Sequence, residues 1–296
     1  MIFNLYQRIC LSFVCTILIV ATLNAQEFSW QGHRGCRGLL PENTIPAFLK
    51  ALEFPEINTL EMDVVITADQ KILVSHEAWM NHEICSYPDG SPVEKEQEKV
   101  HNLYKMPLSE IQKFDCGSRG HKRFLGQQAM ATTKPQLCEV VTALRKSGYN
   151  FPVLNIEIKT EGRRFDRVFH PEPAEFVSIV LNEFKQLKIE HLVTLQSFDV
   201  RILREIKKTG SRIPLSLLVE NPRGFKWNIK RLGFMPDNYS CHYTLVSWRL
   251  IKKCHELGVN VIPWTVNDLD RMKKLVSMGV DGIITDYPNL AFSVKN

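Results

Sequence analysis

The sequence predicts an α/β fold: one (β/α)8 TIM barrel with a small insertion over its C-terminal face after a β-hairpin. Three observations point there. A unit of amphipathic helix, glycine and short apolar strand recurs from residue 135 onward, the alternation expected of a parallel sheet with helical crossovers. Eight short runs read as parallel strands, the number that closes a barrel. A ninth follows its predecessor after only four residues, too few for a parallel crossover, so it folds back as an antiparallel arm. With 296 residues, 44% hydrophobic and 23% charged, the chain can bury one such core. That composition excludes a disordered chain, a collagen-like repeat and a coiled coil.

The first strand candidate is 28–33. Thr44 then caps a helix whose Ile45, Phe48, Leu49 and Leu52 share one face. The second strand is 60–65, and 71–76 is the returning arm, joined through Thr67-Ala68-Asp69-Gln70. Residues 77–134 hold Pro88, Asp89-Gly90, Pro92 and a charged run over 94–99, the composition of an insertion. Placed over a barrel mouth, such a segment shapes the pocket. A helix over 136–147 closes at Gly148 and leads to the strand 153–158, and 192–196 is the next strand. Helix 200–209 closes at Gly210 before strand 214–219, and 239–242 follows. Ser247 caps helix 248–257, which closes at Gly258 before strand 260–264. Asp268 caps helix 269–278, which closes at Gly279 before strand 282–285. Glycine just past a helix is where a left-handed residue ends it.

Ahead of the barrel, Arg8 precedes an apolar run over 9–20, and Ala21-Thr22-Leu23-Asn24-Ala25 supplies small and polar residues. This pattern reads as a secretory signal peptide over 1–25, cleaved after Ala25. The expected product is an exported barrel over 26–296, periplasmic or secreted, with no stable membrane span. An uncleaved anchor is the alternative, at the lower limit of the ~20 residues a span needs. The net charge of +5 sits in short basic runs such as Arg163-Arg164 and Lys207-Lys208. Runs of this kind are solvated faces, and nucleic acid is not expected as a partner. Cys36, Cys85, Cys116, Cys138, Cys241 and Cys254 remain after the leader. Export permits disulfides among them, but their spacing selects no pair and offers no zinc motif.

Parallel barrel strands are apolar runs, and three strand ends break that rule where barrel chemistry lies. The first ends in Gly32-His33-Arg34-Gly35, the second carries Glu61 and Asp63, and the strand 153–158 carries Glu157 with Lys159 just beyond. Residues two apart share a face, so Glu61 with Asp63, and Glu157 with Lys159, point the same way. Turned inward, three carboxylates converge. Like charges in a half-dry cavity need a proton or a metal, and three oxygen ligands suit one Mg2+ or Ca2+. Pairing Ile66 with Lys71 across the hairpin sets Glu61 opposite His76, to within about a residue. His76 then reaches the same site, and His33 enters from the first strand. Two histidines beside a metal serve as general base and general acid. Arg34 holds a phosphate by its fork and Lys159 as a point charge. Singly, each feature has an ordinary reading, as a turn, an ion pair or a solvated face. Their joint placement on successive strand ends favours the chemical one.

At these residues the chain resembles the glycerophosphodiester phosphodiesterase family. The likeness runs from His33-Arg34-Gly35 and Pro41-Glu42-Asn43-Thr44 through Glu61-Met62-Asp63-Val64, Val74-Ser75-His76 and Glu157-Ile158-Lys159. It continues in Gln196-Ser197-Phe198, Trp264-Thr265-Val266-Asn267 and Asp281-Gly282-Ile283-Ile284-Thr285-Asp286-Tyr287-Pro288. The resemblance implies one divalent cation on Glu61, Asp63 and Glu157, with His33 and His76 as the acid/base pair. It also implies Arg34 and Lys159 on the phosphate and Trp264 as a wall of the glycerol site, and it leaves Glu42 open between substrate and structure. The implied reaction releases glycerol 3-phosphate and an alcohol from a small deacylated phospholipid. Two departures bear on the leaving group: Glu77 follows His76 where Asp is usual, and the segment Cys116-Gly117-Ser118-Arg119-Gly120-His121-Lys122-Arg123 adds a basic cluster. A phospholipase C-like or other lipid phosphodiesterase is the rival, and it would need an apolar rim in 77–134. A barrel that only binds phosphodiesters would leave the histidine and carboxylate set unexplained.

Overall fold

The computed structural model describes residues 27–295, so the expected signal peptide lies outside the described residues. The strands are β1 (Ser29–Gly32), β2 (Thr59–Ile66), β3 (Ile72–Val74), β4 (Val153–Ile158), β5 (Val193–Ser197), β6 (Leu215–Val219), β7 (Asn238–Cys241), β8 (Asn260–Val261) and β9 (Gly282–Thr285). All except β3 run parallel, in the order β8-β7-β6-β5-β4-β2-β1-β9. The two ends of that order meet. Asp281 N–H donates to the Val261 carbonyl at 2.9 Å and Ile284 N–H to the Pro263 carbonyl at 3.0 Å. This is the expected (β/α)8 barrel. β8 is shorter than its 260–264 run because Pro263 has no N–H to donate. Pairing resumes past it, with Trp264 N–H on the Cys241 carbonyl at 3.2 Å.

The helices are α1 (Ile45–Ala51), α2 (Leu108–Ile111), α3 (Leu137–Lys146), α4 (Pro173–Leu187), α5 (Val200–Lys208), α6 (Phe225–Leu232), α7 (Trp248–His255), α8 (Leu269–Ser277) and α9 (Ala291–Lys295). The four expected closing glycines, Gly148, Gly210, Gly258 and Gly279, all have positive φ, from 69° to 83°. Helices α4 and α6 go beyond the expected set. Neither has a side-chain N-cap; α4 starts on Pro173 and ends on Lys188 with φ 55°, while α6 closes on Gly233 with φ 89°, so each carries only part of the usual start and stop signals.

Alternate residues of β2 divide the barrel wall. Leu60, Met62 and Val64 face outward into one apolar core with Phe48, Val140 and Phe176. The inward side is polar. Asn155 Nδ2 donates to Gln31 Oε1 at 2.7 Å and to Gln196 Oε1 at 3.1 Å. Strands β1 and β4 are separated by β2, so the first of these bonds crosses the barrel interior. Buried amides linked in this way give the carboxylates above them a fixed floor.

The hairpin register is Val64 to Val74, Val65 to Leu73 and Ile66 to Ile72, one residue from the expected pairing of Ile66 with Lys71. In a regular strand that slip would turn His76 to the other face. β3 ends at Val74, and the chain bends over 76–78, so the ladder does not govern His76. Ser75 sets the bend: its hydroxyl donates to the Glu77 carbonyl at 2.7 Å and accepts from buried Lys134 Nζ at 2.9 Å. Residues 77–134 pack on the outer side of the hairpin through a second apolar cluster, with Val65 and Leu73 against Met80, Leu103 and Phe114. A disulfide joins Cys85 and Cys116. Cys36, Cys138, Cys241 and Cys254 are free thiols.

Candidate active site

The turn after β1 is tight. A Cβ on Gly32 would lie 2.1 Å from the Gly35 carbonyl oxygen, so only glycine fits. Arg34 follows in the left-handed region at φ 51°, at a cost of roughly 1–2 kcal/mol for an L residue. The strain has a return. Arg34 N–H points at Glu61 Oε2 and donates at 2.9 Å.

Glu61, Asp63 and Glu157 are all buried, with one carboxylate oxygen from each within 4.8 Å of the others. Each is held from outside the cluster. Gln196 Nε2 donates to Glu61 Oε1 at 2.9 Å. Asn43 Nδ2 donates to Asp63 Oδ2 at 2.9 Å, and Arg34 Nε lies 3.2 Å from the same oxygen. Lys159 Nζ lies 3.0 Å from Glu157 Oε1. Burial, reinforced by the charge of Asp63, pushes the Glu61 carboxyl well above the ordinary range. Burial also pushes Glu157 up to about 7, with Lys159 opposing and Asp63 adding. Asp63 goes the other way: burial would raise it, but Arg34, His76 and Lys159 hold it below the ordinary range.

Left to themselves, Glu61 and Glu157 are biased toward keeping protons, while Asp63 is ionised. An all-oxygen donor set in that condition fits a divalent cation, which replaces the protons. Below pH 7 a cation must displace the proton on Glu157, so apparent cation affinity falls by up to about tenfold per pH unit for each proton displaced. Titration calorimetry at pH 6, in two buffers of different ionisation enthalpy, should read at least one proton released per cation bound. Zero protons released would contradict the burial argument.

Both histidines are backed by carboxylates. His33 Nδ1 lies 2.6 Å from Asp286 Oδ1. Asp286 is fixed in turn by Asn267, whose Nδ2 donates to Oδ2 at 2.7 Å and whose Oδ1 accepts the Asp286 N–H at 2.9 Å. His76 Nδ1 lies 2.7 Å from Glu77 Oε1. Burial would raise both carboxyls, yet His33 and Arg37 hold Asp286 low, and His76 holds Glu77 low. An ionised carboxylate only accepts, so Nδ1 carries the hydrogen in each ring and Nε2 is the free end. His33 Nε2 is 3.9 Å from Glu61 Oε2, beside the acidic cluster. Burial pulls both imidazoles below the ordinary histidine value.

The cavity above these groups has a volume of about 460 Å³. His33, Arg34, Glu61, His76, Glu157, Lys159 and Trp264 line it, so the structure brings all the expected site residues together except Asp63, which lies beneath with its carboxylate in the cluster. Phe198 and Glu220 line the same cavity. The Trp264 ring meets Phe198 edge-on at 5.4 Å, and its indole N–H is committed to the Ser240 carbonyl. Glu42 takes a structural place: Arg34 Nη1 at 2.6 Å and Arg37 Nε at 2.5 Å bracket it. Burial opposes its ionisation, but these two cations hold its carboxyl at about 2. A larger groove of about 880 Å³, with Leu181, Lys185 and Thr209 in its wall, has none of these groups. It lies at the strand starts, away from the barrel's catalytic face. Asp286, Glu77, Asn43 and Gln196 carry roles that sequence reasoning did not assign, although each adjoins or lies within a quoted motif.

A buried carboxylate cluster, two carboxylate-backed imidazoles and nearby cations on a (β/α)8 barrel are the groups a hydrolase of phosphoric diesters uses. The pattern of the Glycerophosphoryl diester phosphodiesterase family matches residues 33–290, and the chain belongs to that family. It is 29% identical to a glycerophosphodiester phosphodiesterase of Caldanaerobacter subterraneus subsp. tengcongensis, over 86% of this chain and 93% of that protein. A structure of a putative glycerophosphoryl diester phosphodiesterase from Silicibacter pomeroyi superposes with TM-score 0.80 at 27% identity, covering 91% of this chain and 93% of the other. A phosphodiesterase from Oleispira antarctica, solved with the product sn-glycerol-3-phosphate, superposes with TM-score 0.71 over 90% and 96% of the two chains. At 23% identity that last likeness shows the shared fold.

Proposed function

We propose that this chain hydrolyses glycerophosphodiesters to glycerol 3-phosphate and an alcohol, using one divalent cation, Mg2+ or Ca2+, on Glu61, Asp63 and Glu157. The observation that carries the reading is the pair of carboxylate-backed imidazoles beside the buried acidic cluster. When bound, the cation supplies Lewis acidity and offsets charge on the phosphoryl oxygens. His33 and His76 are the acid/base pair, exchanging protons at Nε2 while Asp286 and Glu77 hold Nδ1–H. Arg34 and Lys159 face the phosphate, and Trp264 walls the glycerol.

In the first half-reaction one imidazole takes the proton of the glycerol 2-hydroxyl, whose oxygen attacks phosphorus. The bond from phosphorus to the headgroup oxygen breaks, and the other imidazole protonates that leaving alcohol. Water then opens the resulting 1,2-cyclic phosphate, with the histidine roles reversed. Proximity of the 2-hydroxyl is worth several kcal/mol, on the order of the effective-molarity advantage. A 2-deoxy substrate should therefore bind but turn over at least ~100-fold more slowly. Hydrolysis of that analogue at the normal rate would leave direct attack by water on the same residues.

The substrate is read as deacylated because Val100 and Leu125 are the only large apolar side chains exposed within 77–134, too little for a lipid-facing rim. Glycerophosphocholine and intact phosphatidylcholine, each assayed with Mg2+ and with Ca2+, test this. Only the first should be cleaved; release of diacylglycerol or phosphatidic acid from the second would favour the lipid phosphodiesterase. Among the described residues no helix is long and apolar enough to cross a membrane. Export to the periplasm or medium is proposed from the apolar run over 9–20. N-terminal sequencing of the native protein should begin near Gln26, whereas an intact Met1 in the membrane fraction would support an anchor.

A further inference from the structure

The basic segment 116–123 lies outside the catalytic groups but ends inside the cavity, where Arg123 forms part of the wall. Several contacts hold it there. The Cys85–Cys116 disulfide ties its start. Arg119 Nη1 donates to the carbonyls of His82 at 2.6 Å and Cys85 at 3.1 Å. Arg123 N–H donates to His121 Nδ1 at 3.2 Å. The Arg123 guanidinium lies 5.5 Å from the ring centre of buried Phe124, and that of Arg37 lies 5.0 Å from the same ring. Two like charges thus share one aromatic ring. Glu42 is shared between Arg37 and Arg34 and so cancels neither charge alone, while Arg123 is exposed and makes no ion pair among the described residues.

We propose that Arg123 is a specificity residue that binds an anionic group, a phosphate monoester or a carboxylate, carried by the leaving alcohol. This rests on the glycerophosphodiester reading above. Other lining residues support the same assignment. Lys159 Nζ already sits 5.9 Å over the Phe198 ring, so a quaternary ammonium approaching that ring meets a like charge. Glu220, an exposed residue of the same cavity, repels an anion from its surroundings. An anionic headgroup is therefore directed away from Glu220 and toward Arg123, with Arg37 adding positive charge on the same ring. The planar fork of arginine binds phosphate or carboxylate through two parallel bonds.

Glycerophosphoinositol 4-phosphate and glycerophosphoinositol make a matched pair that differs by one phosphate. The wild-type protein should favour the phosphorylated substrate in kcat/KM by about tenfold at low salt, and the preference should shrink as salt is raised. Arg123→Gln should bring the ratio near one, Arg123→Glu should reverse it, and Arg123→Lys should keep part of it. The ratio is internal to each protein, so partial misfolding lowers both rates and leaves it readable. A wild-type ratio of one or less, or a ratio unchanged in Arg123→Glu, overturns the proposal. Failure of the wild type to cleave either compound, or glycerophosphocholine, would instead overturn the hydrolase reading.

Discussion

Glu61→Gln, Asp63→Asn and Glu157→Gln should each lower kcat/KM for glycerophosphocholine by about 10³-fold or more, the scale of losing Lewis-acid assistance worth several kcal/mol. Each substitution removes ligand charge and keeps side-chain volume, so the barrel wall stays packed. The thermal shift separates this account from simple unfolding. Wild-type protein should gain about 2.7 kcal/mol of stability when the cation is present at 100 times its dissociation constant. The three variants should gain little at that concentration. Because burial pushes Glu157 up to about 7, its amide should be tolerated in the cation-free protein at least as well as the carboxylate. A variant that keeps both full turnover and the full cation-induced shift would contradict the ligand assignment.

His33→Ala and His76→Ala should each reduce kcat by ~10²–10⁴-fold, the usual contribution of a positioned acid or base. Here the cation-induced thermal shift should survive, since neither ring belongs to the carboxylate cluster. The two classes of variant thus fail differently: the carboxylates lose binding and turnover together, the histidines lose turnover alone. His33→Ala also leaves Asp286 without its main partner in a buried place. His33→Gln, which can still donate to that carboxylate, is the control. If either alanine variant retains wild-type kcat, that ring is not in the acid/base pair.

Much of this site was legible because the barrel makes polar strand residues conspicuous. Glu61, Asp63 and Glu157 interrupt runs that should be apolar, and a period of two places the first pair on one face. Their backing groups were harder to see. His33 and Asp286 are 253 residues apart, and only closure of the ring between β9 and β1 brings them together. Glu77 was visible as a departure next to His76, yet its role follows from a bend that a ladder argument cannot supply. The hairpin shows why: the register lies one residue from the expected one, and His76 reaches the site because β3 stops at Val74. Helices α4 and α6 are harder to read because each carries only part of its boundary signals, with no side-chain cap at either start. The Cys85–Cys116 bond was not derivable because six cysteines in irregular spacing select no pairing. Arg123 stood out as part of an unusual basic cluster, but its placement in the cavity depends on how the insertion folds.

The most direct test is a phosphorus NMR time course on glycerophosphocholine, run first with excess chelator and then after Mg2+ or Ca2+ is restored. The account predicts no change in the diester resonance under chelation, followed by conversion to glycerol 3-phosphate when the cation returns. Steady hydrolysis in the chelated sample, or phosphocholine as the phosphorus-containing product, would contradict it.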